Sequence, residues 1–169
     1  MNIRKATEND AYGIAKVQVD SWKTTYKDIV SDDFLDQMKY EDRIGKWVEK
    51  TTSQAVYVAE TNNGEIVGFS NGGIERTGNY PEYKGELYAI YILENQQRKG
   101  LGRLLIQPII NDLLNQGIES MAVWVLEEND SKYFYESLGA KKVDTSEINL
   151  AGINHREILY GWKDIRSIG

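Results

Sequence analysis

The chain has 169 residues, no cysteine, a single histidine and a formal net charge of −6. That length suits one ordinary domain with a core large enough to stand without covalent staples, while disulfides, thiolate metal sites, a cysteine nucleophile and a multi-histidine metal centre are excluded. The acidic balance argues against a nucleic-acid partner, which needs a basic face, and favours cationic or amine ligands through long-range attraction.

In chain order, Met1 to Ala6 predict a first strand with Ile3 as its apolar member. Thr7 and Asp10 form a capping-box-like start, Asp10 standing in for the usual Glu or Gln. A helix follows to about Trp22, with Ala11, Ile14, Ala15, Val17 and Val19 partly on one face. Ser31 caps a second short helix holding Phe34, Leu35 and Met38, and Glu41 to Lys50 reads as a third. Gln54 to Thr61 is a strand by its Val and Tyr content, and Asn62-Asn63-Gly64 is a hairpin signal. Glu65 to Ile74 returns as a strand interrupted by Gly68, Gly72 and Gly73, which suggest a bulge or the close approach of a ligand. Arg76 to Lys84 is a loop around Pro81. Glu86 to Leu93 is apolar and β-forming enough to be a buried strand. After Gly100 to Arg103 comes a helical pattern with Leu104, Leu105, Ile109, Leu113 and Leu114, which Gly117 ends, and Pro108 inside it should kink or open it, because Leu104 loses the N–H that would bond its carbonyl. Ser120 to Leu126 is a second buried strand. Asn129 starts a short helix closed by Gly139. Lys142 to Ile148 and Arg156 to Trp162 make a final antiparallel pair, joined by Leu150 to Asn154.

The order β-α-α-α-β-β-β-α-β-α-β-β specifies an α/β protein with a mixed sheet and helices on both faces, not a barrel or a doubly wound parallel sheet. No linker or repeat interrupts it, so residues 1–169 are expected to form a single domain. No apolar run approaches a membrane span, and the start MNIRKATEND lacks a signal-peptide segment, so a soluble cytoplasmic protein without membrane contact is expected.

The chain is organised around Glu86 to Gln116, which reads strand, basic glycine-containing turn, helix. A helix N-terminus presents unpaired N–H groups and the positive end of the helix dipole. Gly100 and Gly102 remove the Cβ atoms that would hold a phosphate away, and Arg98, Lys99 and Arg103 add positive charge. Together they describe a phosphate or pyrophosphate site. A dinucleotide fold is disfavoured because the turn, Gly100-Leu-Gly102-Arg-Leu-Leu105, lacks the third glycine and no acidic ribose partner follows.

Gln97-Arg98-Lys99-Gly100-Leu101-Gly102 resembles the Gln/Arg-x-x-Gly-x-Gly/Ala signature of the GNAT superfamily of acetyl-CoA-dependent N-acetyltransferases. Asn129 to Gly139 resembles the family's N-x-x-x-x-F-Y-E-x-L-G segment, and Ser21, Trp22 and Tyr26 resemble a large group of its bacterial members. The resemblance covers essentially the whole chain. It implies a twisted mixed sheet of about seven strands whose central parallel pair, Glu86–Leu93 and Ser120–Leu126, splays to admit the cofactor.

The resemblance also implies roles. The pyrophosphate of acetyl-CoA lies on the N–H groups of Gln97, Arg98, Lys99, Gly100, Leu101 and Gly102. The pantetheine arm pairs like an added strand with Ile90, Tyr91 and Ile92, and the N–H of Tyr91 or Ile92 is the oxyanion donor. Asn129 bonds the amide arm, or caps its own helix, or both. Tyr135 protonates the departing thiolate as general acid, against the alternative of a packing aromatic. Glu86 is the general base, against an exposed charge at a strand start or ordered water in its place. The activity implied is transfer of an acetyl group to a primary amine by direct attack, with a catalytically silent acyl-CoA-binding module as the alternative. No metal is called for, the amine acceptor is unnamed, and a homodimer is compatible with the family.

Other residues carry blander readings. His155 is expected at the surface or in hairpin structure, and Trp124 in the core. Trp22, Tyr26 and Trp47 wall an acceptor pocket or pack in the core.

Overall fold

A computed structural model describes residues 1–168. Its elements are β1 (Asn2–Lys5), α1 (Ala11–Thr25), α2 (Asp32–Asp36), α3 (Glu41–Ser53), β2 (Ala55–Glu60), β3 (Ile66–Ile74), β4 (Gly85–Ile92), α4 (Leu101–Asn115), β5 (Met121–Leu126), α5 (Ser131–Ser137), β6 (Lys141–Leu150) and β7 (Ile153–Trp162). The order is the one the sequence pattern predicts. The strands form one mixed sheet ordered β1-β2-β3-β4-β5-β7-β6. The described residues gather into two compact units, each made of two stretches: Met1–Gly72 with Ala89–Asn111, and Gly73–Tyr88 with Asp112 onward. Among the described residues no helix is long and apolar enough to cross a membrane.

In the first unit, the Arg4 guanidinium ties β1 down. It donates to both Asp10 oxygens at 2.8 Å and to Glu60 Oε2 at 2.9 Å. Asp10 Oδ2 also accepts from the Thr7 N–H at 2.8 Å, which is the Asp form of the capping box. Successive residues of β3 point to opposite faces. Phe69 meets Trp47 of α3, 4.9 Å between ring centroids, in a core with Ile14, Ala15, Val17 and Val58. Gly68 and Ser70 meet α4 instead. A Cβ on Gly68 would stand 3.2 Å from Leu105 Cδ1 and from Tyr91 O, and Ser70 Oγ donates to Leu105 O at 2.7 Å. Helices α1 and α3 therefore cover one face of this part of the sheet and α4 the other. Gly68 is small because the protein's own backbone and Leu105 approach it. The expected bulge is real: Ala59 pairs with Gly68 and Glu60 with Ile66, which leaves Val67 over.

Pro108 does not break α4, which stays helical from Leu101 to Asn115. The proline removes the partner of Leu104 O, and the next carbonyl, Leu105 O, is bonded from outside the helix by the buried Ser70 hydroxyl.

In the second unit, α4 and α5 end on the glycines that the sequence marks. Gly117 (φ 77°) and Ile118 donate to Leu114 O and Leu113 O, both at 2.9 Å; Gly139 (φ 91°) and Ala140 donate to Glu136 O and Tyr135 O at 2.9 and 3.1 Å. Both ends are Schellman motifs. The parallel register of β4 on β5 is Gly85↔Met121 and Glu86↔Ala122, and β5 runs antiparallel to β7 from Met121↔Trp162 to Leu126↔Glu157. Paired residues share a face. On one face a Cβ on Gly85 would be 2.7 Å from Leu113 Cδ1 of α4, and Trp162 meets the Tyr135 ring of α5 edge-on at 6.1 Å. The other face carries Glu86, Ala122, Trp124, Leu159 and Glu157, and the loop between β3 and β4 covers part of it. There Tyr83 packs with Ala122 and Leu159, and Tyr80 lies 6.1 Å from Trp124.

Two expectations change. The strand through Glu86–Leu93 is buried only at Gly85–Leu87; Tyr88 to Leu93 are half-exposed. The last hairpin turns on two residues rather than five, since Leu150 pairs with Ile153 across Ala151 and Gly152 (φ 52° and 82°).

Candidate active site

The turn after β4 is built for an anion. Arg98 and Gly100 take positive φ, 59° and 84°, and the first bond of α4 is donated by Leu104 N–H to Gly100 O at 3.4 Å. The N–H groups of Leu101, Gly102 and Arg103 precede that bond and belong to the open end of the helix. Alternating backbone conformations next to a helix N-terminus present N–H groups as a concave set. The Arg98 and Lys99 side chains are exposed beside it. The Gln97 side chain plays another part: its Nε2 donates to Ile92 O at 2.9 Å and ties the turn to the end of β4. These features fit a pyrophosphate.

Ile90 and Ile92 pack partly against Ala59, Val67, Leu101 and Leu105. The Tyr91 hydroxyl accepts from Trp22 Nε1 at 3.1 Å, and burial pushes its phenol up while Trp22 and Tyr26 pull it back. Trp22 stacks on Tyr26 at 4.3 Å, and Trp47 is 2% exposed and donates Nε1 to Gln18 Oε1 at 2.8 Å. Trp47 is thus a core residue. Trp22 and Tyr26 form an aromatic floor under the Tyr91 side chain.

In the second unit, Glu86 is not exposed at a strand start but 2% exposed. Arg76 holds it with three donors: Nη2 to Oε2 at 2.6 Å, Nε to Oε1 at 3.2 Å and the backbone N–H to Oε1 at 3.1 Å. The bonds to Glu86, against the cost of burial, raise the Arg76 guanidinium above its ordinary range and keep it charged. The same guanidinium lies 4.4 Å over the Tyr88 ring. A Cβ on Gly73 would collide with Tyr88 Oη at 2.8 Å, so this glycine also serves the protein's own packing.

Asn129 is 7% exposed, and its Oδ1 accepts from Ser131 N–H at 2.9 Å, so the helix-start role holds. Tyr135 is 5% exposed between Phe134 and Trp162. It stands on the α4–α5 face, opposite Glu86. His155 is 7% exposed on β7, not at the surface, with Nδ1 3.3 Å from Glu128 Oε1. Trp124 is half-exposed against Tyr80, whose phenol is pushed up to about 12 by its hydrogen bond to Asp144 and by burial.

A family model described as FR47-like protein matches residues 76–148. An uncharacterized N-acetyltransferase of Bacillus subtilis, YuaI, is 38% identical over 168 residues, covering 99% of this chain and 96% of that protein. The chain belongs to the GNAT N-acetyltransferases. As a member it is an acyltransferase, and its fold agrees. The PaiA N-acetyltransferase of Thermoplasma acidophilum, solved in complex with coenzyme A, superposes with a TM-score of 0.72 at 20% identity over 95% of this chain and 96% of that one. The ribosomal-protein-alanine N-acetyltransferase of Brucella melitensis gives 0.74 at 21% identity over 96% and 99%. Within this GNAT chain, sequence reasoning missed Arg76 and Glu157. Arg76 sits in a loop with no motif, and its only signal is being a cation at the far end of the loop that leads into Glu86. Glu157 looks like any polar residue of a terminal strand; only register places it on the face of Glu86.

Proposed function

We propose that residues 1–169 act as one domain that transfers an acetyl group from acetyl-CoA to a primary amine by direct attack. The observation that carries this reading is the turn after β4: positive φ at Arg98 and Gly100 beside the open N-terminus of α4, in the sequence that marks the family. In this reading the N–H groups from Gln97 to Gly102 take the pyrophosphate. The amide arm runs along Ile90, Tyr91 and Ile92 and meets Asn129. A strand N–H at Tyr91 or Ile92 stabilises the carbonyl oxygen as it becomes an oxyanion. The amine nitrogen bonds to the acetyl carbon, the carbon–sulfur bond breaks, and the Tyr135 hydroxyl supplies the proton to the thiolate. The family resemblance names Glu86 for the base, but Arg76 clamps its carboxylate with three donors, and the acetyl transfer itself does not depend on that assignment.

The test is acetyl-CoA with a panel of primary amines (polyamines, amino acids, aminoglycosides, and peptides with a free N-terminus or lysine), read by thiol release. Turnover on at least one amine is expected. Tight acetyl-CoA binding with no turnover on any of them would leave a silent acyl-CoA-binding module.

A further inference from the structure

Three carboxylates share the sheet face that carries Trp124, and Asp144 accepts from the Tyr80 hydroxyl at 2.6 Å. Glu86 is clamped: its oxygens accept three donors, all from Arg76, out of about four acceptor positions. A base with its lone pairs so occupied has little to offer an incoming ammonium. Glu157 differs. It pairs with Leu126 at the C-terminal end of β5 and with Ser146 of β6, it is half-buried, and among the described residues no side-chain hydrogen bond or ion pair reaches it. Its alternation with Leu159 and Gly161 puts it on the face of Glu86, Trp124 and Tyr80. The charged and titratable groups that face it are Arg76 and Tyr80 from the loop, Glu86 from β4 and Asp144 from β6, with His155 as its same-face neighbour on β7. The β5 residues opposite are Trp124 and Leu126, and β6 presents Ser146. A carboxylate with no side-chain hydrogen bond, on the face that carries the Trp124 and Tyr80 rings, is a receptor for an alkylammonium group.

We propose that Glu157, rather than Glu86, takes the ammonium group of the acceptor and removes its proton, which deepens the acetyl-transfer reading and rests on it. The step is R–NH3⁺ with Glu157 carboxylate giving R–NH2 and the carboxylic acid. The free amine then bonds to the acetyl carbon and gives up its second proton to solvent as the thiolate leaves and takes one from Tyr135. Glu157 and Tyr135 stand on opposite faces of the β5–β7 pair, so proton removal from the nucleophile and proton delivery to the leaving group are kept apart. Burial holds the Glu157 carboxyl above the usual carboxylate range, Arg76 drawing it back and Glu86 adding to the rise, which strengthens it as a base.

The experiment compares wild type, Glu157→Gln and Glu86→Gln with n-butylamine as probe, by kcat/KM against pH and by acetyl-CoA calorimetry. Glu157→Gln should lower kcat/KM by roughly 10²-fold, abolish the acidic limb of the pH profile and leave acetyl-CoA affinity in place, while Glu86→Gln keeps that limb. The reverse pattern overturns the proposal. A second readout does not need turnover: ¹³C NMR of labelled glutamate carboxyls in the CoA-saturated protein. The resonance that Glu157→Gln deletes should shift as n-butylamine is added, and a resonance that ignores the amine overturns the assignment. A protein inactive on every amine whose Glu157 resonance still shifts would uphold the ammonium site and fail the transferase reading instead.

Discussion

At the scale of single residues, partners decide role more than residue type does. Arg76 gives three donors to Glu86, and Glu86 is 2% exposed, so this ion pair is a fixture of the loop that covers the face. Tyr135 is wedged between aromatic rings and held at a defined angle to Trp162, a fixed orientation of the kind the proposed general-acid role requires. Replacing Tyr135 with Phe keeps the ring and removes the proton. Turnover should fall by roughly 10²-fold or more with acetyl-CoA affinity nearly unchanged; stopped-flow thiol detection and calorimetry together check this. Wild-type turnover would remove Tyr135 from the chemistry. The resemblance singled out Tyr135 and Asn129 because both lie in a short motif, and the helix-start bond of Asn129 to Ser131 N–H is present. Arg76 and Glu157 were not legible, since their meaning comes from a loop folding back and from a cross-strand register.

At the scale of elements, the strand–turn–helix unit and the last hairpin each make a claim. Gly102 is in the first turn of α4, where a branched side chain would stand over the open N–H groups. Gly102→Val should weaken acetyl-CoA binding by at least about tenfold, about 1.4 kcal/mol, while the helix survives. Wild-type affinity by calorimetry would displace the pyrophosphate from this turn. In the hairpin, Ala151 and Gly152 both hold positive φ, the pattern of a type I′ turn. Alanine resists that conformation, so Ala151→Gly should raise stability by about 1 kcal/mol, seen as a higher urea midpoint at unchanged slope. A lower midpoint would mean that Ala151 is not strained. The sequence showed an antiparallel pair joined by Leu150 to Asn154, but not the two-residue turn or the extra length of its strands. Those added residues pair through their backbones, with Asn149 Nδ2 donating to Asn154 Oδ1 at 2.9 Å across the strands, a contact that only the register brings about.

At the scale of the whole molecule, ion pairs set the response to acid. Hydrogen bonds from Arg4, with help from the Thr7 backbone, hold Asp10 below the usual carboxylate range, and Arg4 does the same for Glu60; the Tyr80 hydroxyl lowers Asp144. A carboxyl lowered in the folded state stabilises fully above its unfolded pKa, about 3.9 for Asp. That stabilisation is lost as pH falls through the lower folded value. Glu157 has the opposite sign: raised by burial, it disfavours folding at neutral pH, and that penalty lifts as it is protonated. The lowered groups outnumber it, so the urea midpoint should drop between about pH 5 and about pH 3. Asp10→Asn should lower the neutral midpoint and flatten this dependence. A pH-independent wild-type midpoint in that window would show that Arg4, Asp10 and Glu60 do not act as a network.

The sequence by itself determined the element order, the helix stops at Gly117 and Gly139, the capping box of Thr7 and Asp10 ahead of α1, and the glycine turn that opens α4. Each of these is a local property, set by backbone freedom, orphan N–H groups or side-chain period within a few residues. Only the tertiary structure showed that α4 runs unbroken through Pro108, with Ser70 of a distant strand bonded to the neighbouring Leu105 carbonyl. It alone showed Gly68 and Gly73 serving Leu105 and Tyr88 rather than a ligand, and Glu86 clamped while Glu157 is not. Those facts depend on which residues the sheet register and the β3–β4 loop bring side by side, and no spacing along the chain encodes that.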